Sequence, residues 1–166
     1  MHSRALMPMF KRGCVVLPVI LASACGGNNP TAPTALTTSD LLAAPIAVAL
    51  SGKTMSLTAS PNRDFMPPVP DSSLTVVLTV KTSDGSLVPS NVVIDAVWAV
   101  NGSAVWTAWT LNPLPRSALP PTYVVSATNG PLWDVGATVT VIMRLNDSSG
   151  NTTLLRAPSQ AIMSTF

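Results

Sequence analysis

The sequence predicts an all-β protein built as a sandwich of two sheets, and three observations lead to this prediction. From residue 45 onward apolar and polar residues alternate with a period of two, which places successive side chains on opposite faces of a strand. Gly, Asn, Asp and Pro interrupt the pattern about every ten residues, a spacing typical of short strands joined by turns. The apolar spacing of an amphipathic helix is not seen.

Residues 1–24 have the layout of a secretion signal. Basic residues come first, Cys14–Leu21 forms a short apolar segment, and the small residues Ala22–Ala24 come before a cleavage site. We expect cleavage between Ala24 and Cys25. No run of about 18 apolar residues, the length needed to cross a bilayer, occurs in the chain.

The segment Leu21–Cys25, Leu-Ala-Ser-Ala-Cys, resembles the lipobox of bacterial lipoproteins, in which small residues precede a cysteine that receives a diacylglycerol group. It departs from the commonest pattern because Ala22, not leucine, stands three residues before the cysteine. The resemblance implies lipidation at Cys25 and a membrane anchor through the acyl chains. Gly26 stands where the family places aspartate for inner-membrane retention, so it also implies an outer-membrane or cell-surface location, and the domain could face the periplasm.

A second interpretation of the same residues stays open. Ala22–Ala24 also fits the A-x-A site of the ordinary signal peptidase, which would release a protein with Cys25 as a free thiol. Residues 25–44 are rich in Gly, Asn, Pro, Thr and Ala, a composition typical of a flexible tether. The predicted organisation is therefore a signal peptide over 1–24, a lipidated N-terminus and tether over 25–44, and one domain over 45–166.

Two segments of the domain alternate most regularly, residues 73–82 and residues 138–145. Their predicted inward residues are Leu74, Val76, Leu78, Val80, Val139, Val141, Met143 and Leu145. A hairpin is predicted from 92–100 and 104–111, joined by a short turn that contains glycine. Further strands are predicted near residues 46–51, 54–60, 122–128 and 152–156, with a final extended piece near 161–164. The proline pairs at 67–68 and 120–121 are predicted to lie in loops.

Regular alternation along residues 92–100 puts Trp98 on the same face as Val92 and Asp95 on the opposite face. Seven or eight short strands in one domain resemble an immunoglobulin-like or fibronectin-like sandwich, in which a strand aromatic at the position of Trp98 is often buried. The inter-sheet cysteines are absent and Tyr123 is not placed as a tyrosine corner, so the resemblance is to the architecture. A small barrel is the alternative.

Composition excludes several function classes. The leader contains three of the nine basic residues, the only histidine and one of the two cysteines: Arg4, Lys11, Arg12, His2 and Cys14. Six scattered basic residues then face seven aspartates, a net charge of −1, so no basic surface for nucleic acid is predicted. Without histidine and with Cys25 as the one remaining thiol, we predict no catalytic triad, no disulfide, no metal site and no cofactor.

Tryptophan is the residue type that points to binding. Trp106 and Trp109 lie three apart in a predicted strand and so point to opposite faces, which makes contact with solvent or a loop the expectation for at least one. An exposed tryptophan could stack on a sugar or a partner. Alternatively, Trp98 and Trp109 fill the core and Trp106 packs under a proline-rich loop. Trp133 is expected to close one end of the sandwich.

Oxygen-rich and acidic residues receive structural interpretations. The turn at 146–151 resembles a calcium loop in composition, but its one carboxylate, Asp147, is better explained by Asx-turn chemistry. A glycosidase needs two carboxylates, yet the aspartates lie mostly in turns and outside any recognisable motif. We therefore expect no enzymatic activity.

These observations predict a membrane-anchored exported lipoprotein that acts as a non-catalytic binding or structural module of the cell envelope, with a protein or glycan partner. The alternative is a carbohydrate-binding module or accessory domain that uses an exposed tryptophan, either Trp106 or Trp109. A protein partner could add a strand to an exposed sheet edge.

Overall fold

The computed structural model describes residues 36–66 and 72–166, which contain twelve strands and one short helix. These residues belong to a unit that spans Ala35–Phe166. The predicted signal peptide and the cleavage and lipidation site at Ala24 and Cys25 lie outside the described residues. The elements are α1 (Thr38–Leu42), β1 (Ala47–Leu50), β2 (Lys53–Asp64), β3 (Thr75–Thr82), β4 (Val93–Asn101), β5 (Ala104–Ala108), β6 (Leu111–Pro113), β7 (Ser117–Ala118), β8 (Pro121–Ala127), β9 (Thr138–Asn146), β10 (Thr152–Arg156), β11 (Gln160–Ala161) and β12 (Met163–Thr165).

The strands form two sheets that pack against each other. Sheet I has the order β1-β2-β3-β8-β6, with β12 beside β2 and β7 beside β8, and sheet II has the order β10-β9-β4-β5, with β11 beside β9. Among the described strands, β12 with β2 is the one parallel pairing. The predicted all-β sandwich is therefore confirmed, although its strands are more numerous than expected.

The main core lies between the two sheets. In β3 and β9 every second side chain points inward and is almost completely buried, as the alternation predicted. The inward side chains of these strands and the residue just before β3 are Leu74, Val76, Leu78, Val80, Val139, Val141, Met143 and Leu145. Complete burial of one such side chain contributes about 1.5–3 kcal/mol, so this alternation is a principal source of stability.

Strand β4 contains a β-bulge between Ile94 and Ala96 that exchanges its two faces. The prediction of one continuous face from 92 to 100 is therefore wrong. The residues that pack against the main core are Val92, Ile94, Val97 and Ala99. Because the extra residue Asp95 shifts the alternation by one, Trp98 is buried on the outer face of sheet II and not between the sheets.

A second apolar cluster lies on this outer face, under α1. Leu41 of α1 and Ala44 just after it are 1% and 4% exposed. The sheet contributes the other buried members of the cluster, Ala96, Trp98, Val100 and Ile142, with Leu154 packed beside them. The chain then enters β1 of sheet I, while the Arg156 side chain of β10, in sheet II, donates through Nε to the Ala44 carbonyl at 2.9 Å.

Residues 36–44 thus belong to the same unit as the sandwich, although their composition predicted a tether. The start of α1 has a capping box, in which the Asp40 backbone N–H donates to Thr37 Oγ1 at 3.2 Å and the Thr37 N–H donates to Asp40 Oδ2 at 2.9 Å. Composition concealed this helix because a single turn buries only one leucine, Leu41.

The predicted hairpin of β4 and β5 is confirmed, with a turn at 102–103. Strand β5 ends at Ala108, however, because the chain then crosses to sheet I, where Leu111 pairs with Ala127. Residues 109–110 form this crossover, and the short strands β6 and β7 that follow it were not predicted.

The final extended piece predicted near 161–164 forms two short strands. Strand β11 pairs with β9 of sheet II, whereas β12 pairs with β2 of sheet I, so the chain changes sheets at Ile162. One proline prediction also needs correction, since Pro121 begins β8 and pairs with Ala118. A proline is tolerated there because it occupies the first position of the strand. The pair at 67–68 lies outside the described residues.

Candidate functional site

An open groove lies where the chain crosses from β5 of sheet II to β6 of sheet I. Its volume is about 280 Å³, close to the lower end of the range for ligand pockets, which begins at about 300 Å³. The residues that line it are Trp106, Thr107, Ala108, Trp109, Thr110, Thr128 and Asn129. Both tryptophans that the sequence singles out for binding therefore belong to one site.

The two tryptophans have opposite orientations, as their spacing predicted. Trp106 is half-buried and packs against the main core. Trp109 is 62% exposed, which is unusual for the largest apolar side chain. The prediction that at least one of them meets solvent is confirmed for Trp109, and the alternative in which Trp109 fills the core is wrong.

Trp98 and Arg144 hold the ring of Trp109 in place. Its centroid is 6.0 Å from that of Trp98 in an edge-to-face arrangement, a favoured geometry for aromatic pairs. The Arg144 guanidinium lies 5.5 Å from the Trp109 ring and 6.0 Å from the Trp98 ring. We call Trp98, Trp109, Arg144 and Asp95 the tryptophan–arginine cluster.

Asp95 fixes the guanidinium of this cluster with two hydrogen bonds. Arg144 donates through Nε to Asp95 Oδ1 at 2.7 Å and through Nη2 to Asp95 Oδ2 at 2.8 Å. A bidentate pair of this kind restricts the guanidinium plane more than a single contact would. Trp109 is therefore supported by a guanidinium that is itself held in position.

The environment keeps both partners charged at neutral pH. Burial acts to raise the pKa of Asp95, but the hydrogen bonds and positive charge of Arg144 outweigh it, so the pKa of Asp95 lies below its ordinary value. The hydrogen bond to Asp95 likewise raises the pKa of the Arg144 guanidinium. The two opposite charges neutralise each other, and the cluster presents no net charge to the groove.

Four polar residues line the groove beside the tryptophans. The hydroxyls of Thr107, Thr110 and Thr128 and the amide of Asn129 make no side-chain hydrogen bond within the part of the chain that the structure describes. Asn129 adopts a left-handed backbone conformation, with φ of 64°, a region that asparagine tolerates better than most residues. Their donors and acceptors are free to bind a ligand.

Sequence reasoning found the two tryptophans but missed most of their surroundings. The alternation in β9 predicts that Arg144 points outward. Its contact with Trp98 could not be predicted, because regular alternation places Trp98 on the inward face of its strand. Asp95 stood out only as an aspartate in mid-strand. Thr128 and Asn129 come next to the groove through sheet pairing, for which the sequence contains no local signal.

The other candidate positions have structural roles. Asp147 Oδ1 accepts from the backbone N–H groups of Ser149 at 2.9 Å and Asn151 at 3.0 Å, which confirms the predicted Asx-turn chemistry. No group of three or more His, Cys, Asp and Glu that could hold a metal ion occurs among residues 36–66 and 72–166. Trp133 packs half-buried against the main core, and its carbonyl accepts from Arg63 Nη1 at 3.2 Å.

Within the described ranges, no helix is both long enough and apolar enough to cross a bilayer. No protein-family model matches the chain, and no curated protein matches its sequence. The leader motif and the geometry of the groove are therefore the features from which a function can be inferred.

Proposed function

We propose that this protein is an exported lipoprotein, anchored to a membrane through Cys25, whose sandwich acts as a non-catalytic binding module of the cell envelope. The observation that carries the binding role is Trp109, an exposed indole held by a buried tryptophan and a paired guanidinium at an open groove. Large aromatic side chains with little freedom are typical centres of recognition surfaces, because little conformational entropy is lost on binding.

The lining of the groove supports binding rather than catalysis. Its residues offer indole, hydroxyl, amide and methyl groups, none of which titrates near neutral pH. The nearby carboxylate of Asp95 is committed to Arg144 through two hydrogen bonds. A general acid or base would need a titratable group within reach of the ligand, and the described lining supplies none.

An immunoglobulin-like arrangement of the sandwich is part of this proposal. Sheet I contains the order β2-β3-β8-β6 and sheet II the order β10-β9-β4-β5. Labelled A to G along the chain, with C′ for β5, these correspond to the orders A-B-E-D and G-F-C-C′ that immunoglobulin-like sandwiches use. Proteins with this architecture commonly serve as adhesion and recognition modules, which agrees with the proposed role by analogy.

The distance between anchor and domain restricts where a partner could lie. Ten residues separate Cys25 from residue 36, the first that the structure describes. A chain of that length spans at most about 35 Å. The proposed binding module therefore acts on envelope components close to the membrane surface, on the outer membrane or cell surface or facing the periplasm.

Palmitate labelling tests the anchor, and the second cysteine of the leader gives a matched control. We expect Cys25→Ser to abolish labelling and to release the protein from membranes, because the acyl chains have lost their attachment point. Cys14→Ser should leave both unchanged. An unlabelled wild-type protein, cleaved after Ala24 and recovered outside the membrane, would contradict the anchor.

Site-specific cross-linking in intact cells tests the binding role. A photo-reactive amino acid replaces Thr110 in the groove, and the control carries it at Leu119, which is 91% exposed but lies outside the groove. We expect a discrete adduct from position 110 that position 119 does not give. If neither position gives a discrete adduct under conditions that preserve the envelope, the binding role is refuted.

A further inference from the structure

We infer that the groove binds an uncharged saccharide built of pyranose rings, with Trp109 as the platform on which one ring stacks. This inference rests on the proposed binding function and specifies its ligand class. Three features of the groove carry it: the fixed and exposed indole of Trp109, the polar groups placed around it, and the lack of an available charge in its lining.

The indole of Trp109 suits the apolar face of a sugar ring. A pyranose presents several C–H groups on one face, and stacking removes both this face and the indole from water. The edge-to-face contact with Trp98 and the guanidinium of Arg144 hold Trp109 in place before a ligand arrives. Stacking then costs little side-chain entropy, because the platform is already ordered.

The polar side chains match the remaining surface of a sugar. Saccharide hydroxyls lie around the ring edge, and each can both donate and accept a hydrogen bond. Thr107, Thr110 and Thr128 offer hydroxyls with the same double capacity, and Asn129 adds an amide. A purely apolar ligand would leave these groups desolvated without partners, which would oppose its binding.

The charge distribution around the groove favours an uncharged ligand. None of its lining residues is charged. The cation of the tryptophan–arginine cluster, Arg144, directs Nε and Nη2 at the Asp95 carboxylate, so its charge is already balanced by a carboxylate. The groove is open to solvent and about 280 Å³ in volume, so it fits about one ring and leaves a longer chain free to continue on either side.

The test uses the full-length protein purified from cells, with an array of uncharged pyranose glycans to find a ligand and titration calorimetry to measure its affinity. We expect Trp109→Ala to weaken saccharide binding about tenfold or more, since the stacking contact is lost. Phe166→Ala removes another aromatic, 86% exposed and outside the groove, and should leave affinity unchanged. Thr128→Val should weaken binding by removing one hydroxyl, and added salt should have little effect.

The outcomes separate this inference from the function on which it rests. Saturable binding of a neutral glycan that requires Trp109 and not Phe166 supports the saccharide assignment. If every array glycan fails while a proline-rich decapeptide binds with the same dependence on Trp109, the saccharide is refuted and the binding module stands. If neither the glycans nor the decapeptide bind and position 110 gives no adduct in cells, both the inference and the proposed function are refuted.

Discussion

A few individual residues determine what the surface of this protein offers to a partner. Trp109 is exposed, but its ring is held by Trp98 and by a guanidinium that Asp95 holds in turn. The side chains of Arg144 and Asp95 remain 30% and 40% exposed, so this ion pair serves mainly to orient the ring. Partly exposed ion pairs add little stability, about 1 kcal/mol or less.

Gly130 illustrates a residue whose importance lies in close packing. Its N–H donates to the Leu74 carbonyl at 2.9 Å, which brings the two backbones together beside the half-buried ring of Trp106. A Cβ at this position would lie 2.8 Å from the Leu74 Cβ and 2.9 Å from the Leu74 carbonyl oxygen. Only glycine fits there without movement of the backbone.

We therefore predict that Gly130→Ala lowers the free energy of unfolding by about 1–3 kcal/mol, the usual cost of overpacking. Urea unfolding followed by tryptophan fluorescence measures this change. The control is Gly102→Asn, at a turn where φ is +59° and a Cβ would have no other atom within 4 Å. Asparagine tolerates this conformation, so the control should cost about 1 kcal/mol or less. Equal losses in the two variants would contradict the packing argument.

At the scale of elements, one bulge and one helix determine what lies on the outer face of sheet II. The bulge at Asp95 turns Trp98 outward, and α1 then covers much of the surface that this exposes. Strand β4 consequently contributes to two cores, with Val97 and Ala99 on one side and Trp98 on the other. Trp98 can support Trp109 because the bulge turns it to the outer face.

Two neighbouring leucines of α1 allow a matched test of this covering role. Leu41 is 1% exposed and packs in the second apolar cluster, on the outer face of sheet II, whereas Leu42 is 40% exposed. We expect Leu41→Ala to lower the free energy of unfolding by about 2–3 kcal/mol and to increase acrylamide quenching of tryptophan fluorescence. Leu42→Ala should stay within about 0.5 kcal/mol of wild type. Equal effects of the two changes would show that α1 does not pack on the sheet in solution.

At the scale of the whole molecule, the titrating groups predict how stability depends on pH. Hydrogen bonds lower the pKa of four aspartates in the folded protein: Asp40, Asp84, Asp95 and Asp147. The pKa of these groups in the unfolded chain is near 3.9. Between that value and the lower folded pKa values, the unfolded chain therefore binds more protons than the folded protein. Stability from these groups is therefore fully present above about pH 5 and is lost as the pH falls through the folded pKa values.

We predict a free energy of unfolding that is constant from about pH 5 to pH 8 and decreases below about pH 4. The constant range follows because histidine, which titrates near neutral pH, occurs only as His2, in the predicted leader. Urea midpoints measured across this range test the prediction. Asp95→Asn should make the acid decrease shallower, whereas a marked change between pH 6 and 8 would contradict the assignment.

Much of the fold could be predicted because its signals are local. The alternation in β3 and β9 and the glycine turn between β4 and β5 depend on neighbouring residues, and the structure confirms them. The bulge and the short strands β6 and β7 were not predicted, and the segment of α1 was predicted to belong to the tether. Each of these depends on what packs against it, and a sequence window does not contain its distant partners.

The sequence by itself determined the all-β class, the two tryptophans that line the groove, and the leader motif that suggests export. Tertiary structure alone decided that Trp98 faces outward and that Arg144, Asp95 and Trp109 meet. The physical reason is that a period-two pattern assigns faces only while the alternation is unbroken. One extra residue, Asp95, reverses that assignment, and only the pairing of β4 with β9 reveals it.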